Sequence, residues 1–191
     1  MKERPILFST EMVQAIIEGR KTQTRRIVKA SGKATAFKIA VMPDGTKMPF
    51  GIDDEEAMLG YIKCPYGKPG DRLWVRETFL VERSQHKDYY EYKADYSNTF
   101  ACDVCWKPSI FMPREACRIL LEVTDVRVEK LKDISEKDVI AEGVEYKKTD
   151  GCLNIPARAH YMMLWDSING KDSHELNPWV WVISFIKLTE R

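Results

Sequence analysis

The 191-residue sequence has no run of about 18 apolar residues, and its start, Met1-Lys2-Glu3-Arg4-Pro5, lacks the apolar centre of a secretory leader. The expectation is a soluble, cytoplasmic protein with no membrane contact. An excess of either charge is also lacking. Thirty basic residues against 29 acidic ones leave a formal charge of +1, so the chain is no general polyanion binder. Any nucleic-acid contact has to come from a local patch. Cysteines are few and odd in number, five with one close pair, which does not make a disulfide framework. The three histidines are scattered and show no catalytic pairing with serine or cysteine. There is no phosphate-binding glycine loop, no carboxylate cluster suited to a metal-dependent nuclease, no internal repeat and no low-complexity tract.

What is present suits one domain with a real core, since 44% of the residues are hydrophobic. Ser9-Thr10 can cap a short amphipathic helix from Glu11 to Glu18, with Met12/Ile16 and Val13/Ile17 at four-residue spacing and Gly19 closing it. From Lys29 to Gly70 the pattern is weak. The turn signals Pro43-Asp44-Gly45, Pro49-Phe50-Gly51 and Pro65-Tyr66-Gly67 suggest an irregular or hairpin-like excursion. Leu73, Val75, Phe79 and Val81 share one strand face, interrupted by Glu77, and Tyr89 to Tyr96 is a possible strand. Ile119, Leu121 and Val123 alternate as a strand that Val126 and Val128 continue on the other face, which predicts a bulge. Ser135 and Asp138 resemble a capping box for a helix over 133–142, closed by Gly143. A third helix starts at Pro156 and carries Tyr161, Leu164, Trp165 and Ile168 on one face. Trp179 to Leu188 is apolar on both faces and predicts a central, doubly covered strand. Strands and helices mix without a regular βαβ rhythm, so the expected class is α+β, a small barrel with packed helices rather than a parallel sheet.

Four features carry possible chemistry. The first is Gly19-Arg20-Lys21-Thr22-Gln23-Thr24-Arg25-Arg26, just past a helix end. In a turn the side chains of Lys21 and Thr24 can meet. A threonine hydroxyl becomes a nucleophile when a base such as a lysine of depressed pKa takes its proton; desolvation or nearby cations can depress it, and Arg20, Arg25 and Arg26 are such neighbours. The plainer reading is a solvated basic turn. The second is Glu142, in the last turn of its helix, where the helix dipole disfavours a carboxylate and raises its pKa toward acid-base work. An exposed, tolerated glutamate is the alternative. The third is Trp74-Val75-Arg76-Glu77-Thr78, in which Trp74 and Arg76 can wall a base and Glu77 adds a charge; a packed ion pair at a barrel mouth is the rival. The fourth is Cys102-Asp103-Val104-Cys105, with the spacing of half a zinc site. Cys64, Cys117, Cys152, His86, His160 and His174 supply no second pair at standard spacing, so the cysteines read as reduced loop residues. Tyr161 and Trp165 read as core.

These blocks, in this order, resemble the ASCH domain family. The resemblance rests on the G-R-K-T-x-T-x-R stretch after a helix, the Gly70-Asp71-x-Leu73 turn, Leu121-Glu122-Val123-Thr124, the Ser135-Glu136-Lys137 helix and the closing strand Trp181 to Leu188. The wording from Arg4-Pro5-Ile6-Leu7-Phe8-Ser9 through Lys107-Pro108-Ser109 to Asn177-Pro178-Trp179 is most similar to a phage or prophage branch. The resemblance implies a PUA-like β-barrel forming one domain over 1–191, with long insertions at about 31–68 and 83–109. It also implies similarity to small amidohydrolases that convert N4-acetylcytidine to cytidine and acetate. Carried over by position, their catalytic group falls on Lys21, Thr24 and Glu142, with Arg26 as the motif arginine. Arg25, Arg26, Trp74, Arg76 and Glu77 are the expected substrate contacts. The resemblance implies no cofactor and no metal, a small nucleoside or RNA as partner, and no obligate protein partner. The competing expectation is a non-catalytic RNA or modified-nucleotide binding module, with a nuclease behind it.

Overall fold

A computed structural model describes residues 1–30, 32–83, 88–96, 105–144 and 156–188. Its main sheet has five strands: β1 (Glu3–Leu7), β2 (Gln23–Ile27), β6 (Arg72–Arg76), β9 (Leu120–Lys130) and β10 (Trp179–Leu188). They lie in the order β1-β6-β9-β10-β2, antiparallel except for the parallel pair β1–β6. The Asp71 carboxylate ties that parallel pair together by accepting the Lys2 N–H at 2.9 Å and the Lys68 N–H at 3.3 Å. The fold is therefore α+β and rich in sheet. Among the described residues no ladder joins the edge strands β1 and β2, so the sheet is not a closed barrel. Arg26 spans that seam instead, donating from Nη2 to the Leu7 carbonyl at 2.9 Å.

Strand β10 is covered on both faces, as its composition predicts. Trp181, Ile183 and Phe185 join Leu73, Val75, Leu121 and Val123 in one core, with helix α1 (Thr10–Ile17) contributing Val13 and Ile16. Val180 and Val182 face the opposite way and pack on Val139 of helix α2 (Glu136–Ala141) and on Tyr161 and Trp165 of helix α3 (Ala157–Asn169). The expected bulge falls at Thr124: Ser184 pairs with Asp125 and Phe185 with Val123. The helix starts also follow the sequence, since the Ser9 and Ser135 hydroxyls accept the Met12 and Asp138 N–H groups.

The stretch from 36 to 61 takes the hairpin-like alternative, with each strand antiparallel to the next. It forms a second sheet of β3 (Ala36–Val41), β4 (Lys47–Ile52) and β5 (Met58–Tyr61). Pro43-Asp44-Gly45 does turn the chain, but Pro49-Phe50-Gly51 lies inside β4. Pro49 has no N–H to give, and it sits where β5 ends, its carbonyl accepting from Ile62 at 2.8 Å. Gly51 is required by close approach, as a Cβ would stand 2.6 Å from that of Ala34. A third sheet, the two strands β7 (Phe79–Glu82) and β8 (Tyr89–Tyr92), packs on Met112 and Ala116. Tyr96 lies beyond β8, after a 3₁₀ turn at Lys93–Asp95. Among the described residues no helix is long and apolar enough to cross a membrane.

Candidate functional site

The segment that carries Lys21 is pinned from three sides by backbone hydrogen bonds. Lys21 N–H donates to Ala15 of α1 at 3.0 Å, Thr22 N–H to Ala141 of α2 at 2.8 Å, and Phe185 N–H of β10 to the Thr22 carbonyl at 2.9 Å. Gly19 and Gly143 make this convergence possible by ending α1 and α2 with positive φ, 76° and 83°. An isolated bridge then sets Lys21 beside Glu142, 121 residues away in the chain.

The Lys21 ammonium is buried, 2% exposed, and donates to the Glu142 carboxylate at 2.7 Å and to the Gln23 and Glu142 carbonyls at 2.8 Å each. Burial pushes its pKa below the usual lysine range; Glu142 opposes the shift, and Arg26 and Arg25 add to it. Of the two expected causes, desolvation is the larger and nearby cations are the smaller. Arg20 lies along Glu18 and donates to the Gly143 carbonyl. Glu142 also accepts from Arg25 at 3.1 Å.

Thr24 sits differently from the expected turn. Gln23–Ile27 is extended as β2, so Lys21 and Thr24 are not brought together as in a helical turn. Thr24 is fully buried and its Oγ1 accepts from Arg26 Nη1 at 2.8 Å; no hydrogen bond joins it to Lys21. The two neighbourhoods meet at Phe8, whose ring centroid lies 5.7 Å from Lys21 Nζ and 5.3 Å from Arg26 Cζ.

Arg25 is turned inward. Its guanidinium meets Glu129, Asp138, Glu142 and Gln23, and its Cζ stands 5.9 Å from the Tyr161 ring. Burial opposes its charge, but Glu142 and Glu129 outweigh that and raise its pKa. A guanidinium held this way anchors the carboxylates rather than a ligand phosphate.

A cavity of about 330 Å³ opens beside this network. Phe8, Arg25, Arg26, Glu142, Tyr161 and Trp165 are among its walls, while half-exposed Leu7 and Ile168 edge it. Its volume suits a nucleoside, and its walls mix apolar side chains with seven polar or charged residues; Lys21 and Thr24 are not among them. Tyr161, predicted as core, serves both the core and the cavity. Its hydroxyl makes no hydrogen bond among the described residues, and burial, then Glu142, keeps its pKa well above 10.0. Helical periodicity showed that Tyr161 faces inward, but not that the inward face ends at a cavity.

Trp74, Arg76 and Glu77 stand apart from this cavity. Trp74 is flanked by Arg76 and Arg114, at 5.4 and 5.9 Å. Arg76 also donates to the Ile110 carbonyl. Glu77 is 1% exposed and holds Arg118 through two contacts of 2.9 Å, so its ion pair is made inside the fold with a residue from outside the 74–78 stretch. Among the described residues no group of three or more His, Cys, Asp or Glu side chains could share a metal ion. Cys102, His86 and Cys152, which the zinc question turned on, lie outside the described residues, and Cys64, Cys105 and Cys117 are free thiols.

Gly143 is the tightest point of the site. A Cβ there would stand 2.9 Å from that of Lys21 and 3.0 Å from that of Ala15. Gly143→Ala is expected to cost roughly 1–3 kcal/mol, through left-handed backbone and overpacking together. Chemical denaturation checks it, and an unchanged midpoint would contradict the packing described.

No family model matches the chain, and no curated protein or solved structure matches it.

Proposed function

We propose that this protein is an amidohydrolase of N-acylated nucleosides, with N4-acetylcytidine as the model substrate, built on a PUA-like variant of the α+β fold and related to the ASCH family. The observation that carries the reading is the buried Lys21–Glu142 pair beside a nucleoside-sized cavity, in which burial lowers the lysine pKa.

In this scheme the Lys21 amine, once neutral, takes the Thr24 hydroxyl proton as Oγ1 bonds to the acyl carbon. Arg26, already on Oγ1 at 2.8 Å, stabilises the resulting oxyanion. Collapse breaks the C–N bond, and the proton held by Lys21 passes to the departing cytosine amine. Water then attacks the acyl-threonine, releasing acetate and returning the hydroxyl proton to Thr24. Glu142 orients Lys21 throughout. Thr24 has to exchange its Arg26 contact for Lys21 when substrate enters.

The full burial of Thr24 favours a second reading, a binding module in which the pocket holds a base without chemistry. Hydrolysis of N4-acetylcytidine separates the two. Thr24→Ala is expected to stay folded and bind cytidine but lose turnover, with Thr24→Ser retaining part of it. Turnover that survives Thr24→Ala, Lys21→Ala and Glu142→Ala sinks the triad; binding without any wild-type turnover selects the module.

A further inference from the structure

We propose that the candidate pocket is one end of a longer basic groove that receives the phosphate groups of its substrate, making the substrate a nucleotide rather than a free nucleoside. The inference rests on the amidohydrolase reading for what sits in the pocket, and on separate residues for the groove.

The pocket shares Arg26, Ile27 and Asn169 with an adjoining cavity of about 400 Å³. That second cavity shares Ile62, Lys63 and Trp181 with a third of about 740 Å³. The walls are strongly one-sided in charge. Arg26, Lys29 and Lys63 line the second cavity, which has no acidic wall; Lys2, Arg4, Lys63 and Lys68 line the third. The sole acid among those walls, Asp71, is already occupied by the Lys2 and Lys68 backbone N–H groups.

None of these six cations forms an ion pair among the described residues, and Arg4 Nε–H is buried without a partner. Arg25, Lys38, Arg114, Arg118 and Arg127, which line neither the second nor the third cavity, each hold a carboxylate; what sets the six apart is that they gather along adjoining cavities. In a chain of net charge +1, unpaired cations gathered along three adjoining cavities form the local patch that a polyanion needs. Tyr66 beside Lys63, and Tyr61 in the third cavity, offer faces on which a base can stack.

The test compares N4-acetylcytidine, its 5′-monophosphate and a single-stranded pentanucleotide with a central N4-acetylcytidine. It is paired with fluorescence-anisotropy binding of the unacetylated pentanucleotide. The expected result is a kcat/KM at least about tenfold higher for a phosphate-bearing substrate, an advantage that shrinks with salt and in Lys29→Glu/Lys63→Glu. A gain already complete at the monophosphate means a free nucleotide, and one appearing only with the pentanucleotide means a strand. The same double variant should weaken pentanucleotide binding and flatten its salt dependence by about one log unit per log unit of salt for each lost contact. Lys38→Glu, off the groove, should not. Equal kcat/KM on all three substrates, or binding indifferent to Lys29→Glu/Lys63→Glu, overturns the groove. Absence of hydrolysis on every substrate overturns the amidohydrolase reading alone and leaves the groove to the anisotropy result.

Discussion

Glu142→Ala is expected to lower stability by about 3–5 kcal/mol and to remove turnover with it. The carboxylate is 6% exposed and neutralises two buried cations, Lys21 at 2.7 Å and Arg25 at 3.1 Å. The loss falls unevenly. Arg25 keeps Glu129 and Asp138, whereas Lys21 loses its one carboxylate and keeps only two carbonyl acceptors. An ammonium stranded in the interior can shed its proton, and that escape limits the damage. Glu142→Gln retains the volume and an acceptor oxygen but not the charge, so its loss should be smaller. Urea denaturation at neutral pH measures both. A Glu142→Ala cost below about 1 kcal/mol would mean that water reaches the pair and that its charges are screened.

Much of this site was legible because its parts obey local rules. Ser9 and Gly19 bound α1, Ser135 and Gly143 bound α2, and those two helix ends are what deliver Lys21 to Glu142. The two-sided apolar run of β10 showed that something must cover each face, and α1 lies on one side with α2 and α3 on the other. What stayed hidden depends on long-range placement. Arg25 looks like its neighbour Arg26 in sequence. Yet alternation along β2 sends Arg25 into carboxylates from β9 and α2, and Arg26 to the seam beside Leu7. The sheet over 36–61 was obscured because β5 is exposed along its whole length, and because a proline and a glycine punctuate β4 where they read as a turn. Trp74, Arg76 and Glu77 were grouped by adjacency, but Glu77 lies past the end of β6 and turns inward to Arg118.

Lys21→Met separates chemistry from stability at the same position. Methionine fills much of the same space without charge, and Glu142 keeps Arg25 as its partner, so the fold should survive better than in Glu142→Ala. Turnover should nevertheless fall by ~10²–10⁴, the usual contribution of a positioned base. The pH behaviour supplies an independent check. The lysine pKa is lowered in the folded protein from about 10.5, so between its lowered value and 10.5 the unfolded chain binds more protons. Stability of the wild type relative to Lys21→Met should therefore rise with pH through that window and level off above it. The kcat/KM for N4-acetylcytidine should rise as neutral Lys21 accumulates in the free enzyme. Urea midpoints of both proteins across a pH series, beside the rate profile, test the two statements together. Parallel stability curves would mean that Lys21 titrates alike in both states, and the lysine would then lack the depressed pKa that its role as base demands.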